Sequence, residues 1–313
     1  MPSAVLAPTY GDPAVLELRD IPTPEPGPGQ VVVEVRAAAL NPADHKRFGG
    51  AWGEDPDALP LRIGWEAAGV VIAVGDGDVT GPTGELRVGD EVIAYGPAGA
   101  QATHLALDAG DVLHKPSSLS FEAASGLMLT GVTAVHLLEA TKVGRGDTIL
   151  VHGASGGVGL ALVQLAVARG ASVVGTASES AFLTLRGYNT RPVAYGDGLL
   201  ERVRDLAPAG YDAALDCVGT DEAIDVSLTV VDDRDRIASI AAFGRAEADG
   251  FQVLDGSGDG AEIRSAARTQ LLAAVEARDL EVVVDRTFPL AEAAAAHAHQ
   301  REGSPRGKVV LVP

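Results

Sequence analysis

Apolar and polar positions follow two rhythms along this chain. Up to about residue 120, short branched or alternating apolar runs are separated by glycine- and proline-rich turns. Ala14-Val-Leu-Glu-Leu-Arg19 alternates, and Gln30 to Ala38 predicts a strand with Val31, Val33 and Val35 on one face. Ala67 to Val74 and Glu91 to Tyr95 predict two more strands. Ile21-Pro-Thr-Pro-Glu-Pro-Gly-Pro-Gly29 cannot be helix, and Gly75, Gly77 and Gly84 mark further turns. Short strands with frequent turns predict a barrel-like domain. Ser120 to Leu138 predicts a helix. From there strands and helices alternate: strands at 148–152, 171–176, 192–194, 212–217, 236–241 and 251–254, with a helix at 221–231. That alternation predicts a doubly wound parallel sheet, so the fold class is α/β. A helix at 262–278, a strand at 281–287, a helix at 291–300 and a strand at 307–312 complete the chain.

The stretch from Thr148 to Ser178 carries the chemistry. Thr148 to Val151 is an apolar run suited to a strand buried on both faces. Gly153, Gly156, Gly157 and Gly159 form a turn. Leu160, Val163, Leu165 and Val167 give a helix that stops at Gly170, and Ala171 to Thr176 returns as a strand. Such a unit offers unpaired N–H groups and the positive end of a helix dipole to a phosphate. Glycines there let the backbone approach a pyrophosphate and the helix approach its strand. The fingerprint is a variant, with Ala154 in the place of the first glycine. The plainer alternative is a strand–helix turn whose glycines serve packing alone. The candidate cofactor contacts are Gly153, Ser155, Gly156, Gly157, Val158, Thr176 and Ser178. An NAD site usually carries Asp or Glu at the end of the second strand. Here Ala177-Ser178 holds the place, and Ser178 can donate to a 2′-phosphate. Glu179 follows directly, and Arg186 either reaches back from the next helix or is a solvated helix residue. NADPH is therefore favoured over NADH.

Composition narrows the rest. The chain has 313 residues, enough for two domains, and 46% of them are apolar without any bilayer-length run. The N-terminus has no secretory pattern, and the single cysteine, Cys217, rules out an internal disulfide or a cysteine-rich zinc site. These features point to the cytoplasm. A formal charge of −19 argues against nucleic acid or an anionic membrane as partner. Only Lys46, Lys115, Lys142 and Lys308 are lysines. His297 and His299, two apart on a predicted helix, face different directions and cannot form a helical metal pair.

Several segments together resemble the medium-chain dehydrogenase/reductase superfamily, in its zinc-independent quinone oxidoreductase (zeta-crystallin-like) branch. They are Tyr10-Gly-Asp-Pro-Ala-Val-Leu-Glu-Leu18, Leu40-Asn-Pro-Ala-Asp44, Gly64-Trp-Glu-Ala-Ala-Gly-Val-Val71, Val88-Gly-Asp-Glu-Val92, Leu129-Thr-Gly-Val-Thr-Ala134, the glycine turn, Asp216-Cys-Val-Gly219 and Gly307-Lys-Val-Val-Leu311. The resemblance spans essentially the whole chain. It implies a GroES-like catalytic domain (1–123 and 262–313) and an inserted Rossmann domain (124–261), with the nicotinamide in the cleft. In zinc-dependent relatives three side chains ligate the metal. Asn41, Trp65 and Gly126 stand in those places here, and none is a usual zinc ligand. The activity implied is hydride transfer from NADPH to a quinone or an α,β-unsaturated carbonyl, whose own π-system spreads the charge. Enoyl-thioester reduction in a biosynthetic pathway is one alternative. A nucleotide-binding protein with a regulatory or structural role is another.

The resemblance also implies site residues. Asn41 lies near the nicotinamide and the substrate carbonyl, or is a turn residue before Pro42. Lys46 stands where many relatives carry Tyr. It either stabilises or protonates a developing enolate, or is a solvated lysine beside Arg47. Asp44 reads as a structural cap. Trp65 is a stacking wall for a flat substrate or a core residue, and Glu66 reads as a structural ion-pair member. Thr130 approaches the nicotinamide and Tyr195 the adenosine phosphate. Val218 and Phe243 lie at the carboxyl edge of the sheet, and Lys308 reaches the cofactor phosphates or caps the last strand. Cys217 reads as buried filler. A homodimer is implied as well, through the edge of the Rossmann sheets. The acidic residues Glu247, Asp249, Asp255 and Asp259 near that edge weaken this point.

Overall fold

The computed structural model describes every residue except Pro97 and Ser304, and the side chain of Asp259 also lies outside the described set. The chain forms two compact units, Met1–Leu129 with Val282–Pro313, and Thr130–Glu281.

In the first unit the strand Gln30–Ala39 is the organising element. It pairs antiparallel with Glu66–Val74 along one side. Along the other it pairs first with His104–Asp108 and then, at Ala38 and Ala39, with the C-terminal strand Lys308–Val312. Glu91–Tyr95, Val112–His114 and Val284–Pro289 complete a seven-stranded sheet. Val31, Val33 and Val35 do share one face, and they pack with Val71, Val92, Leu105, Leu107 and Val112. A second core sets Leu40, Phe48, Leu61, Ile63, Val309 and Leu311 against Leu290, Ala293 and Ala296.

The second unit carries six parallel strands in the order Arg191–Ala194, Ser172–Ala177, Thr148–His152, Ala213–Asp216, Ile237–Ser239 and Gln252–Val253. In chain order this is third, second, first, fourth, fifth, sixth. Ligands in such a sheet bind outside the carboxyl ends, where the winding reverses between the first and fourth strands. The helix Gly157–Ala168 is apolar almost all round, and eight consecutive residues from Gly159 to Ala166 are buried, as a helix under neighbouring structure requires.

The structure departs from the sequence reading in four places. A helix, Pro42–Phe48, follows Asn41 where only a turn was expected. Proline suits a first helical position because its missing N–H would have no intrahelical partner. The helix expected over 120–138 is two helices, Phe121–Ser125 and Met128–Ala140, interrupted at Gly126. The alternating stretch near Ala14 opens as a single turn, Pro13–Val15, before the strand Glu17–Asp20. Finally, the helix Asp259–Glu276 packs in the second unit, so the boundary expected at 261/262 falls at 281/282. Its Leu271 sits against Gly131, and Gln164 bonds both the N–H and the C=O of Glu281. No helix among the described residues is long and apolar enough to cross a membrane.

The βαβ unit depends on one close approach. A Cβ built on Gly159 would lie 2.1 Å from the Gly153 carbonyl oxygen and 2.7 Å from Ala154 Cα. Backbone cannot step aside as a flexible side chain can, so Gly159→Ala is expected to cost about 3 kcal/mol or more. Chemical denaturation measures this, and a loss below about 0.5 kcal/mol would contradict the packing described.

Candidate functional site

At the glycine turn, Gly153 adopts a left-handed conformation (φ +71°) that reverses the chain directly after the first strand. Its N–H donates to Thr176 Oγ1 at 3.2 Å, and the Ala154 N–H donates to the Thr176 carbonyl at 3.0 Å. The second strand thus holds the turn in place. Ala154 is tolerated where a glycine is usual because its partner across the strand is Gly175. A Cβ there would lie 2.7 Å from the Ala154 methyl. Gly156 caps the helix Gly157–Ala168, and helix geometry leaves the Gly157 and Val158 N–H groups without an intrahelical acceptor. Ser155 stands on the same turn. Such a turn can cradle a diphosphate.

Beneath the turn runs a feature that sequence reading missed. At the carboxyl ends of four adjacent strands sit buried polar residues: Thr176, one before the last of its strand, and His152, Asp216 and Ser239. Thr176 Oγ1 lies 3.3 Å from His152 Nδ1, and Ser239 Oγ donates to Asp216 Oδ2 at 2.5 Å. Asp216 Oδ1 accepts from the Val218 and Gly219 N–H groups at 3.0 and 3.1 Å. Ser239 Oγ accepts from the Ala241 and Ala242 N–H groups at 3.0 and 2.9 Å. Each member of the row except His152 therefore fixes the loop after a strand. Burial holds the His152 imidazole neutral, lowering its pKa to about 4. The signal was available in the sequence, since a polar residue follows an apolar run near the end of each of these strands.

On the same edge, Tyr195, Val218 and Phe243 each follow a strand and keep large apolar surfaces exposed. Thr130 is buried in the first turns of Met128–Ala140. Ser178 caps the turn after the second strand, with its hydroxyl 3.0 Å from that of Ser180. The Arg186 guanidinium lies over the Phe182 ring, at the head of the helix that follows this turn.

In the first unit the structure brings Asn41 and Lys308 together with Glu66. Asn41 is fully buried at the head of the helix Pro42–Phe48. Its N–H donates to Asp44 Oδ2 at 2.8 Å, so the cap is supplied by Asp44 and the Asn41 amide is left to point elsewhere. That amide donates to Glu66 Oε1 at 3.0 Å and accepts from Lys308 Nζ at 2.5 Å. Lys308 also pairs with Glu66 at 2.9 Å, and Glu66 Oε2 accepts from the Leu129 N–H at 2.8 Å. Glu66 is thus the ion-pair member expected of it. Lys308 starts the last strand, and its ammonium is engaged within this buried cluster. The missing side chain of Gly126 makes room for the lysine stem, which would lie 2.7 Å from a Cβ there. Of the three places that hold zinc ligands in metal-dependent relatives, Asn41 and Gly126 thus serve Lys308. The third, Trp65, carries the Arg47 guanidinium over its ring at 5.3 Å, and its indole N–H has no hydrogen-bond partner among the described residues. Lys46 is exposed on the same short helix as Asp44. No cluster of metal-ligating side chains occurs among the described residues.

A second network extends from Asp44. Gln101 Nε2 donates to Asp44 Oδ2 at 3.4 Å, and His297 Nε2 donates to Gln101 Oε1 at 3.0 Å. Burial pushes the Asp44 carboxyl up to about 7, against the opposing pull of the Asn41 N–H and the Lys308 charge. Burial also lowers His297 to about 3, so it stays neutral.

Two family models match the chain. One describes the alcohol dehydrogenase GroES-like domain (residues 27–120), the other a zinc-binding dehydrogenase (residues 190–311). A quinone oxidoreductase of Pseudomonas aeruginosa is 34% identical, with 97% of each chain covered. The chloroplastic NADPH-dependent alkenal/one oxidoreductase of Arabidopsis thaliana is 32% identical over 97% of this chain and 78% of its own. The solved structure of mycobacterial Rv1454c complexed with NADPH superposes with a TM-score of 0.86, at 30% identity over 100% of both chains.

Two substitutions test the buried clusters. Lys308→Met leaves the Glu66 carboxylate buried without its cation and is expected to cost about 3–5 kcal/mol. Adding Glu66→Gln should recover most of that loss in denaturant unfolding. A single-mutant cost under about 1 kcal/mol would contradict the pairing. For Asp44, a folded pKa raised above the ordinary 3.8 means that ionisation favours the unfolded chain, so stability falls as pH rises from about 4 to about 7. Asp44→Asn removes that slope. The variant's melting temperature should therefore gain on the wild type's across this window, whereas parallel pH profiles would show that Asp44 is not held neutral.

Proposed function

The chain belongs to the quinone oxidoreductase family of medium-chain dehydrogenases/reductases, and we propose that it reduces a quinone or an α,β-unsaturated carbonyl with a hydride from NADPH. The observation that carries this reading is the glycine turn at the carboxyl edge of the parallel sheet. There the Gly157 and Val158 N–H groups suit a diphosphate, and the bare Cα of Gly159 lets the helix that carries them close onto its strand. The bound nucleotide supplies the hydride. The protein's part is to bind, orient and exclude water.

Support for NADPH comes from the Ser178 hydroxyl at the end of the second strand, and from relatives whose names or bound ligands specify it. Tyr195, Val218 and Phe243 offer apolar surface to the flat parts of the nucleotide. In the first unit an amide, an indole and a glycine occupy the three positions that would have to hold zinc. That donor set suits an acceptor able to spread the incoming charge itself. Quinones and enones do this through conjugation, and a simple ketone does not. Lys46, exposed one turn into the helix that Asn41 begins, is the group we assign to the developing enolate, as a positive charge or as proton donor. Trp65 is assigned to the flat face of the acceptor. Asn41 contributes from below by fixing the start of that helix.

The test is a panel of quinones and enones incubated with the protein and NADPH while nicotinamide absorbance is followed. Acceptor-dependent loss in at least one class is expected, and Lys46→Met should lower kcat about 10- to 100-fold for enones with little effect on nucleotide affinity. No acceptor-dependent loss in either class would sink the reading.

A further inference from the structure

Lys46-Arg47 is the one place in the sequence where two Lys or Arg residues are adjacent, in a chain of formal charge −19. Both lie in the last turn of the helix Pro42–Phe48, where basic residues offset the helix dipole. That role asks only for a solvated charge, and Arg47 is placed otherwise. It is half-buried, with its guanidinium over the Trp65 ring, 5.3 Å from the centroid. Among the described residues it makes no ion pair.

The carboxylates around it are engaged elsewhere. Asp44 Oδ2 accepts from the Asn41 N–H, and Glu66 is held by Lys308, Asn41 and the Leu129 N–H. Beyond the helix, Glu54 lies against Gly50, and Asp55 caps the next turn at the Asp57 N–H. A second unused donor belongs to the ring that Arg47 covers. The Trp65 indole N–H is buried without a hydrogen-bond partner among the described residues. Buried donors are nearly always paired, so one left open asks for an acceptor.

A planar guanidinium beside an N–H suits a carboxylate or a sulfonate, whose oxygens take charge-assisted hydrogen bonds. Successive helical residues point about 100° apart, so Lys46 and Arg47 suit two separate oxygens of one molecule. The geometry points to an acceptor that carries its own negative charge. It is an enone or quinone with an acidic group on the conjugated system, held through that group by the Arg47 guanidinium and the Trp65 indole N–H. Lys46 is then left for the developing enolate. In an enone of this kind one alkene carbon takes the hydride and the other a proton, NADPH becomes NADP+, and the acidic group passes through unchanged. The proposal rests on the reading above that a quinone or enone is reduced, and it names the class of acceptor.

Acetylacrylate and its methyl ester share one enone and differ by a charge; naphthoquinone and its sulfonate are the matching quinone pair. The neutral and charged members differ in intrinsic reactivity, so each variant is compared with the wild type on the same acceptor. KM and kcat would be measured at saturating NADPH for the wild type, Arg47→Gln, Arg47→Lys and Trp65→Phe. Arg47→Gln should raise KM for the charged member of a pair about tenfold or more, and for the neutral member less than about threefold. Arg47→Lys should recover part of that loss, because it restores the charge without the planar fork. Trp65→Phe keeps a ring and removes the N–H, and should raise KM more for the charged member than for the neutral one. Turnover of the neutral member reports that each variant is folded. Equal changes for both members, no change, or a wild type that reduces only the neutral members would overturn the assignment and leave the reduction reading standing. No turnover of any quinone or enone by the wild type would instead remove that reading, and this proposal with it.

Discussion

The carbonyl oxygen of Gly153 and the bare Cα of Gly159 make the contact on which the second unit turns. Their closeness brings the first helix down onto the first strand and leaves the N–H groups of Gly157 and Val158 facing outward. Ala154, one residue past Gly153, fits only because Gly175 on the neighbouring strand has no side chain. Two glycines on different elements thus allow a departure from the usual fingerprint. The polar row below completes the arrangement, since Asp216 and Ser239 take up the N–H groups of the loops that follow their strands. A buried carboxylate is tolerable there because each oxygen is hydrogen-bonded.

The first unit solves a different problem with similar means. Burying Lys308, Glu66 and Asn41 in one place costs desolvation, and the cluster offsets it by matching the ammonium to a carboxylate and an amide oxygen. Three stretches distant in sequence meet there: the end of the strand Gln30–Ala39, the start of Glu66–Val74 and the start of Lys308–Val312. The C-terminal strand is therefore held by polar contacts as well as by its ladder. The helix carrying Lys46 and Arg47 takes its starting point from the same cluster.

Much of this was legible in the sequence. The parallel strands and the first helix announce themselves as continuous apolar runs, and glycines mark the turn between them. Val31, Val33 and Val35 announced their shared face by alternation alone. What was not legible depends on long-range contact. Asn41 reads locally as a residue before proline, and nothing nearby reveals that its amide meets Lys308, 267 positions away. Separation in sequence also hid why Gly126 lies between two helices, where its bare Cα leaves space for the lysine stem. Arg186 reads as either reaching back or solvated, because its stacking on Phe182 depends on side-chain packing, which helical spacing alone leaves open. The polar strand ends were visible, but their hydrogen bonds follow from the register of four strands, which no single strand reveals.

The most direct test is calorimetric titration of the purified protein with NADPH, repeated in the presence of ADP-ribose, which keeps the diphosphate and lacks the nicotinamide. If the diphosphate is held by the N–H groups at the head of Gly157–Ala168, one nucleotide should bind per chain and ADP-ribose should compete for it. The absence of saturable binding, or binding that ADP-ribose leaves untouched, would contradict the account.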